Sequence, residues 1–221
     1  MKIIGLDLSI NGSGCVMNQL DSKLDIIETN YLSFTPVKKN ATDKIIHYNK
    51  KQFKNYFDQN RFMEEKILDF CEGADYTAIE DYAYGAMGKV FHMAEFAGGI
   101  KSALYFGFGN TDMGVSMRLY DPCSIKMFAC NKGTAKKEDM IDQYDKVEGD
   151  PLNLSFLPQY KSPKEDIVDA YWLTKLLQME LKLRRGLIRL QDLTEKQIQI
   201  FNRTTKGNPT NILATDFIEL N

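Results

Sequence analysis

Two short apolar segments that each reach an acidic residue constrain the fold of this chain most. The segment 2–8 reaches Asp7 after an apolar run, and the segment 76–80 ends in Glu80. A carboxylate at the end of a buried strand is costly unless it is paired or binds a metal. If the two segments are adjacent parallel strands, Asp7 and Glu80 lie at the same edge of a sheet, where ligands bind in such folds.

The order of the other elements predicts an α/β fold. A Gly- and Ser-rich turn at 9–14 follows the first strand, and 15–17 and 25–34 are typical of two further strands. Helices are predicted over 59–72, 90–106, 121–129, 136–147 and 163–183, with another strand over 115–120. This order predicts a five-stranded mixed sheet, a three-stranded antiparallel meander plus parallel strands, flanked by helices.

Composition sets the domain organisation and excludes several classes of protein. The length of 221 residues suits one domain over 1–186, with a Lys- and Asn-rich loop or insertion at about 36–54 and a loosely structured extension over 187–221. No apolar run reaches the roughly 18 residues of a membrane span, and the N-terminus lacks a signal peptide. We therefore expect a cytoplasmic protein. Its four cysteines lack the spacing of a zinc site or a disulfide framework.

A second pair of acids lies on the last long helix. Asp166 and Asp169 share a helical face with Leu173 and Leu176, so an apolar stripe continues into two carboxylates. Such a helix can dock on the sheet and also deliver metal ligands. Asp166 could instead simply favour the positive end of the helix dipole. The neighbouring residues 162–165 read as a capping box, which assigns Glu165 to capping.

Four carboxylates, Asp7, Glu80, Asp166 and Asp169, are thus expected to meet. Magnesium prefers oxygen ligands, and two such ions about 3.5–4 Å apart can hydrolyse a phosphodiester. Each acid alone could be structural, and only their combination favours a metal site.

Four motifs, in this order along the chain, resemble those of RuvC-type Holliday junction resolvases: IGLDLS at 4–9, AIE at 78–80, KGTAKK at 132–137 and DIVDA at 166–170. The Asp-Leu-Ser after the first strand is similar to the bacteriophage-encoded branch. The resemblance implies an RNase H-like fold, a homodimer and cleavage of branched DNA, with two Mg²⁺ ions for which Mn²⁺ can substitute. It implies that the four acids are catalytic metal ligands and that Lys137 lies near the scissile phosphate. It also makes the helix with Gly98 and Gly99 a dimer helix.

DNA contacts must come from a local basic surface, because the net charge of the chain is only −2. Candidate phosphate contacts are Lys89, Arg118, Lys126, Lys132, Lys136 and Lys137. Tyr82 and Tyr84 could stack on unpaired bases near a branch point. The alternatives are a solvated basic face and ordinary aromatic packing. A second basic cluster, at residues 182–189, is either another DNA contact or a charge preference of a helix C-terminus.

Two other functions compete with a nuclease. A non-catalytic protein that binds branched DNA could retain the fold, although the intact set of four acids disfavours it. An actin-like or sugar-kinase-type ATPase also has an acid followed by a Gly- and Ser-rich turn. Such an ATPase needs a second related lobe and a second phosphate-binding hairpin, and the sequence contains neither.

Overall fold

The structure is a computed structural model that describes residues 1–81, 90–106 and 115–205. Its centre is one mixed sheet of six strands: β1 (Lys2–Asp7), β2 (Gly14–Leu20), β3 (Ile26–Thr35), β4 (Ile45–His47), β5 (Tyr76–Glu80) and β6 (Ser116–Tyr120). The strand order is β4-β3-β2-β1-β5-β6. The first three strands are antiparallel neighbours, whereas β5 runs parallel to β1 and β6 runs parallel to β5. The predicted meander with added parallel strands is confirmed.

Helices cover both faces of the sheet. They are α1 (Tyr56–Cys71), α2 (Val90–Phe106), α3 (Pro122–Cys130), α4 (Lys137–Gln143), α5 (Lys164–Arg184) and α6 (Glu195–Thr205). One core lies between the sheet and α1 with α2, and the other lies between the sheet and α3 to α6. The central helix of the second core is α5, which packs on β1 and β2 and buries Leu173 and Leu176 completely.

Local sequence explains where several of these helices begin and end. The Asn55 side chain accepts a hydrogen bond from the Asp58 amide at the start of α1, and Gly73 adopts a positive φ of 70° just after the end of α1. Asp121 likewise accepts from the Ser124 amide at the start of α3. These are the residue types that favour helix ends, so the predicted helices lie within a few residues of the observed ones.

Two segments are more ordered than the sequence predicts. The region 36–54, predicted to be a loop, contains β4, which pairs with β3 and makes the sheet six-stranded rather than five-stranded. The predicted loose extension after residue 187 contains α6, whose Ile200 and Phe201 are fully buried against the second core. Both segments hold a few apolar residues that bury themselves on an existing surface, which a short-range pattern does not reveal.

One smaller difference concerns the second half of the chain. The helix predicted over 136–147 ends its α-helical part at Gln143 and continues as a π-helical turn, Tyr144–Glu148.

Among the residues that the structure describes, no helix is long and apolar enough to cross a membrane.

Candidate active site

The two acids at strand ends lie side by side at one edge of the sheet. In the parallel pairing of β1 with β5, Leu6 is opposite Ile79, so the next residues along the chain are Asp7 and Glu80. Both carboxylates are only partly exposed. The expectation that parallel strands bring these two acids to the same edge is confirmed.

Glycines on β1 and β2 let α5 approach the sheet closely. A Cβ atom on Gly14 would collide with the backbone of Asp166, and one on Gly5 would collide with the carbonyl oxygen of Ala170. In the turn between the strands, a Cβ on Gly12 would lie 2.8 Å from the Asp166 carboxylate. The small residues therefore set the depth at which α5 presents its acids beside Asp7.

The start of α5 differs from the predicted capping box. The helix begins at Lys164, and Ser162 makes no cap to a backbone amide. Its hydroxyl instead donates a hydrogen bond of 2.5 Å to the Asp166 carboxylate. The assignment of Ser162 and Glu165 to a capping box is wrong, because Pro163 moves the start of the helix and turns Ser162 toward the acids. A serine four residues before a helical aspartate was the pattern that could have revealed this contact.

A lysine from α4 lies among the acids. The ammonium group of Lys137, the first residue of α4, is 2.9 Å from the Asp169 carboxylate. The Asp169 side chain is 13% exposed, whereas that of Lys137 is 47% exposed. The Lys137 ammonium thus neutralises Asp169, while about half of the lysine side chain remains accessible to solvent.

Burial and mutual repulsion dominate the electrostatics at the sheet edge. Burial, and after it the charges of Asp169 and Glu80, raise the pKa of Asp7 well above its usual value. Burial, and then the charge of Asp169, raise the pKa of Glu80 to about 7. These acids are therefore close enough to oppose one another's ionisation, which marks a functional site more often than a structural one.

The helix acids experience the same forces. Burial raises the pKa of Asp166 to about 6, although the hydrogen bond from Ser162 and the charge of Lys137 lower it. Burial also raises the pKa of Asp169, again against the charge of Lys137. Burial lowers the pKa of Lys137 itself, but the charges of Asp169 and Asp7 outweigh burial and raise it above its usual value.

The donor atoms suit a hard divalent cation, since all four candidate ligands are carboxylates held partly out of water. Among residues 1–81, 90–106 and 115–205, however, no three acidic, histidine or cysteine side chains are grouped closely enough to hold an ion. The four acids have the oxygen ligands that magnesium prefers, and they lie at the same edge of the sheet. Their carboxylates are nevertheless farther apart than the ligands of a bound ion would be.

A cavity of about 100 Å³ opens beside these acids. Its polar lining comes from Glu80, Asp169, Lys126 and Lys137, and its apolar wall comes from Pro122, Ile125 and Met140. Acids and lysines on one small wall can hold cations and phosphate oxygens next to each other.

The remaining candidate DNA contacts differ in their placement. Lys126 lines the cavity, and Lys132 and Lys136 are exposed on the loop before α4. Tyr82, Tyr84 and Lys89 lie outside the described residues.

Arg118 must be removed from the candidate DNA contacts. Its side chain is completely buried, and its Nε donates a hydrogen bond of 2.8 Å to the equally buried Glu180. Arg118 lies in the middle of β6, where its alternation places it toward α5 rather than toward solvent. The stretch 118–137 is basic as a whole, but the burial of β6 removes Arg118 from the surface.

The chain is similar to known proteins in structure rather than in sequence. No protein family model and no curated protein matches the chain. Two structures of RuvC from Thermus thermophilus, one of them a complex with a Holliday junction substrate, are similar to it at 13% sequence identity. Each likeness covers 84% of this chain and 96% of the RuvC chain, with TM-scores of 0.52 and 0.53. The chain therefore has a RuvC-like RNase H fold.

Proposed function

We propose that this chain is a metal-dependent, structure-selective DNA endonuclease that cleaves Holliday junctions and related branched DNA by phosphodiester hydrolysis. One observation carries the proposal: acids from β1, β5 and α5 converge at the carboxyl edge of a RuvC-like sheet and raise one another's pKa. A surplus of partly buried negative charge is costly, and proteins retain such a cost mainly at functional sites.

The proposed metal ligands are Asp7, Glu80, Asp166 and Asp169, which would hold two Mg²⁺ ions or Mn²⁺ in their place. Bound ions of this kind supply an activated water and stabilise the leaving oxygen. Within the chain itself, Ser162 orients the carboxylate of Asp166 through its hydrogen bond. The half-exposed Lys137 can offer its ammonium group to a phosphate oxygen next to the acids.

DNA would reach the acids across the surface before α4. Lys126 on the cavity wall and the exposed Lys132 and Lys136 are the proposed phosphate contacts there. Stacking of Tyr82 and Tyr84 on opened bases and a phosphate contact by Lys89 remain part of the proposal on the strength of their residue types. Membership of the bacteriophage-like branch and action in the cytoplasm rest on resemblance and composition in the same way.

A homodimer is also proposed, through α2. Phe91, Gly98 and Tyr105 are spaced by seven residues and so share one helical face. Phe91 and Tyr105 are exposed, and a Cβ atom on Gly98 would meet nothing within 4 Å. This face can accept a second copy of α2 at close range. Sedimentation should give a dimer for the wild type and a monomer for Phe91→Glu, and a monomeric wild type would refute the dimer.

The decisive experiment compares matched DNA substrates. Four-way junctions, three-way junctions, flaps and linear duplexes of the same sequence are incubated with the protein in Mg²⁺, in Mn²⁺ or in EDTA. Paired symmetric nicks in the four-way junction that disappear in EDTA support a resolvase. Equal cutting of flaps widens the substrate range. Binding of branched DNA without metal-dependent cutting would refute the proposed nuclease and favour a non-catalytic DNA-binding protein.

A further inference from the structure

A surface outside the acid cluster, which consists of Asp7, Glu80, Asp166 and Asp169, carries a local excess of exposed lysines. We call residues 36–54 the lysine segment. It contains a single acid, Asp43, and six lysines, all of them exposed: Lys38, Lys39, Lys44, Lys50, Lys51 and Lys54. The whole chain has a net charge of −2, so this local excess is a marked departure from the average surface.

The backbone of the lysine segment is held in place. Its strand β4 pairs with β3, and Asn49 and Gln52 form a capping box around the short 3₁₀ turn Lys50–Gln52. Tyr48 is buried and its ring lies 6.5 Å from that of Phe53, which packs in turn on α1. A fixed backbone lowers the entropy lost on binding, so the lysines are displayed by a preorganised surface.

Two hydrogen bonds connect the lysine segment to the edge of the acid cluster. The Tyr48 hydroxyl donates to the Asn11 carbonyl oxygen at 2.7 Å, and the Lys50 ammonium donates to the Asn11 side-chain oxygen at 2.9 Å. The residue after Asn11 is Gly12, whose position borders the Asp166 carboxylate. The lysine segment is therefore adjacent to the acid cluster, on the side of the β1–β2 turn.

The lysines of the segment are largely free of internal acids. Among the described residues, the ammonium groups of Lys39, Lys51 and Lys54 have no ion-pair partner. At the other end of the sheet, by contrast, Lys182 is paired with Asp25 and Arg189 with Asp192. Unpaired lysines on a fixed backbone are available to an external polyanion, whereas paired ones are already partly neutralised.

We propose that the lysine segment binds the phosphate backbone of a duplex arm of the same DNA whose branch point lies at the acid cluster. This inference rests on the proposed function and extends it with a second contact surface. Lysines contact phosphates as mobile point charges, so the surface positions an arm without reading its sequence. Its contribution is to affinity and to the salt dependence of binding rather than to the chemical step.

The test compares two triple variants that remove the same charge from different surfaces. The first is Lys39→Gln, Lys51→Gln and Lys54→Gln. The matched control is Lys23→Gln, Arg61→Gln and Lys66→Gln, all exposed and outside both the lysine segment and the candidate DNA contacts. Junction affinity is measured in EDTA between 50 and 200 mM salt, and cutting is measured in Mg²⁺ at saturating DNA.

If the three lysines each contact one phosphate, the slope of log affinity against log salt falls by about 2.7. The wild type then loses about 40-fold more affinity than the segment variant over that salt range. The control should keep the wild-type slope, and all three proteins should cut at the same rate when saturated. Thermal unfolding verifies that both variants are folded.

An unchanged slope in the segment variant, or an equal decrease in the control, would overturn the inference while leaving the nuclease intact. Failure of the wild type to bind any branched DNA would overturn the proposed function and this inference together. A variant with a normal slope but slow cutting at saturation would also overturn it, because the segment would then act on the chemistry.

Discussion

The two ends of α5 each bury charge, but they balance it differently. At the N-terminal end, Asp166 and Asp169 join Asp7 and Glu80, and the ammonium of Lys137 is within 2.9 Å of one of these four acids. At the C-terminal end a single acid, Glu180, is surrounded by donors. It accepts hydrogen bonds from the Arg118 and Arg184 guanidinium groups and from the Tyr120 hydroxyl.

This difference separates a structural ion pair from the proposed metal site on one helix. Around Glu180 the positive charges match or exceed the negative one, so burial is compensated. Around Asp169 the acids outnumber the lysine, and their pKa values rise in response. An excess of acids that the fold itself does not neutralise is available to cations from solution. Substitutions at the two ends should consequently separate activity from stability.

The largest expected effect is the loss of cutting in Asp7→Asn. Removing one proposed ligand should lower the single-turnover cutting rate of a four-way junction at least about 10³-fold, or about 4 kcal/mol in the barrier. Junction affinity in EDTA should remain near that of the wild type, because the proposed phosphate contacts are lysines rather than Asp7. The exposed Glu28→Gln is the control for loss of an acid outside the proposed DNA contacts. Cutting by a folded Asp7→Asn protein at the wild-type rate would refute the ligand role.

The next largest effect is on stability, at the balanced end of α5. Glu180→Gln leaves the buried Arg118 without its carboxylate and should destabilise the fold by about 3 kcal/mol. Urea unfolding measures this loss, with the exposed Glu28→Gln as a control that should change little. The folded variant should still cut at saturation. If Glu180→Gln is as stable as the wild type, the balanced pair contributes nothing and the contrast between the two ends fails.

A smaller effect is expected where α5 touches the sheet. Gly14→Ala forces the new methyl group into the backbone of Asp166 and should cost about 2 kcal/mol of stability. It should also weaken Mn²⁺ binding, measured by titration calorimetry, because the helix acids move away from Asp7. Ser22→Ala, at an exposed position in the turn between β2 and β3, is the control for a small substitution outside the site and should change neither quantity. Unchanged Mn²⁺ affinity in Gly14→Ala would show that the glycine does not position the acids.

Short-range patterns in the sequence were sufficient to predict the acids at the N-terminal end of α5. They were insufficient to predict the ion pair at its C-terminal end. Asp7 and Glu80 were identifiable because each acid interrupts an apolar strand, and the helical spacing of Asp166 and Asp169 indicated their common face. The partner of Arg118 could not be identified, because Glu180 is 62 residues away in the chain. Its burial depends on how β6 meets α5, which is a tertiary contact rather than a local preference.

The same limit applies to smaller features of the site. The contact of Ser162 with Asp166 depends on where α5 begins, and helix ends are the least certain part of a pattern. The strand β4 has only three residues, and the sheet extends to it because the edge of β3 offers unpaired backbone groups. Whether the domain ends at residue 186 stays a prediction, since α6 packs on α3 across that point.

The last predicted contrast concerns the pH dependence of stability in metal-free buffer. The folded protein holds protons on its site acids to higher pH than the unfolded chain does. Burial raises the pKa of Glu80 to about 7 and that of Asp166 to about 6. The unfolded chain releases these protons near pH 4, so the free energy of unfolding should fall as pH rises from about 4 to 7. The loss occurs at the acid-rich end of α5.

Asp7→Asn tests this link, because it removes one of the repelling charges. In EDTA at pH 8 the variant should be more stable than the wild type by about 1 kcal/mol, as found when a protein trades activity for stability. At pH 5, below the raised pKa values of Glu80 and Asp166 in the folded protein, the difference should shrink. Urea unfolding of both proteins at the two pH values measures it. A variant less stable than the wild type at pH 8 would mean that Asp7 is held by favourable contacts, so that the N-terminal end of α5 is as balanced as the other.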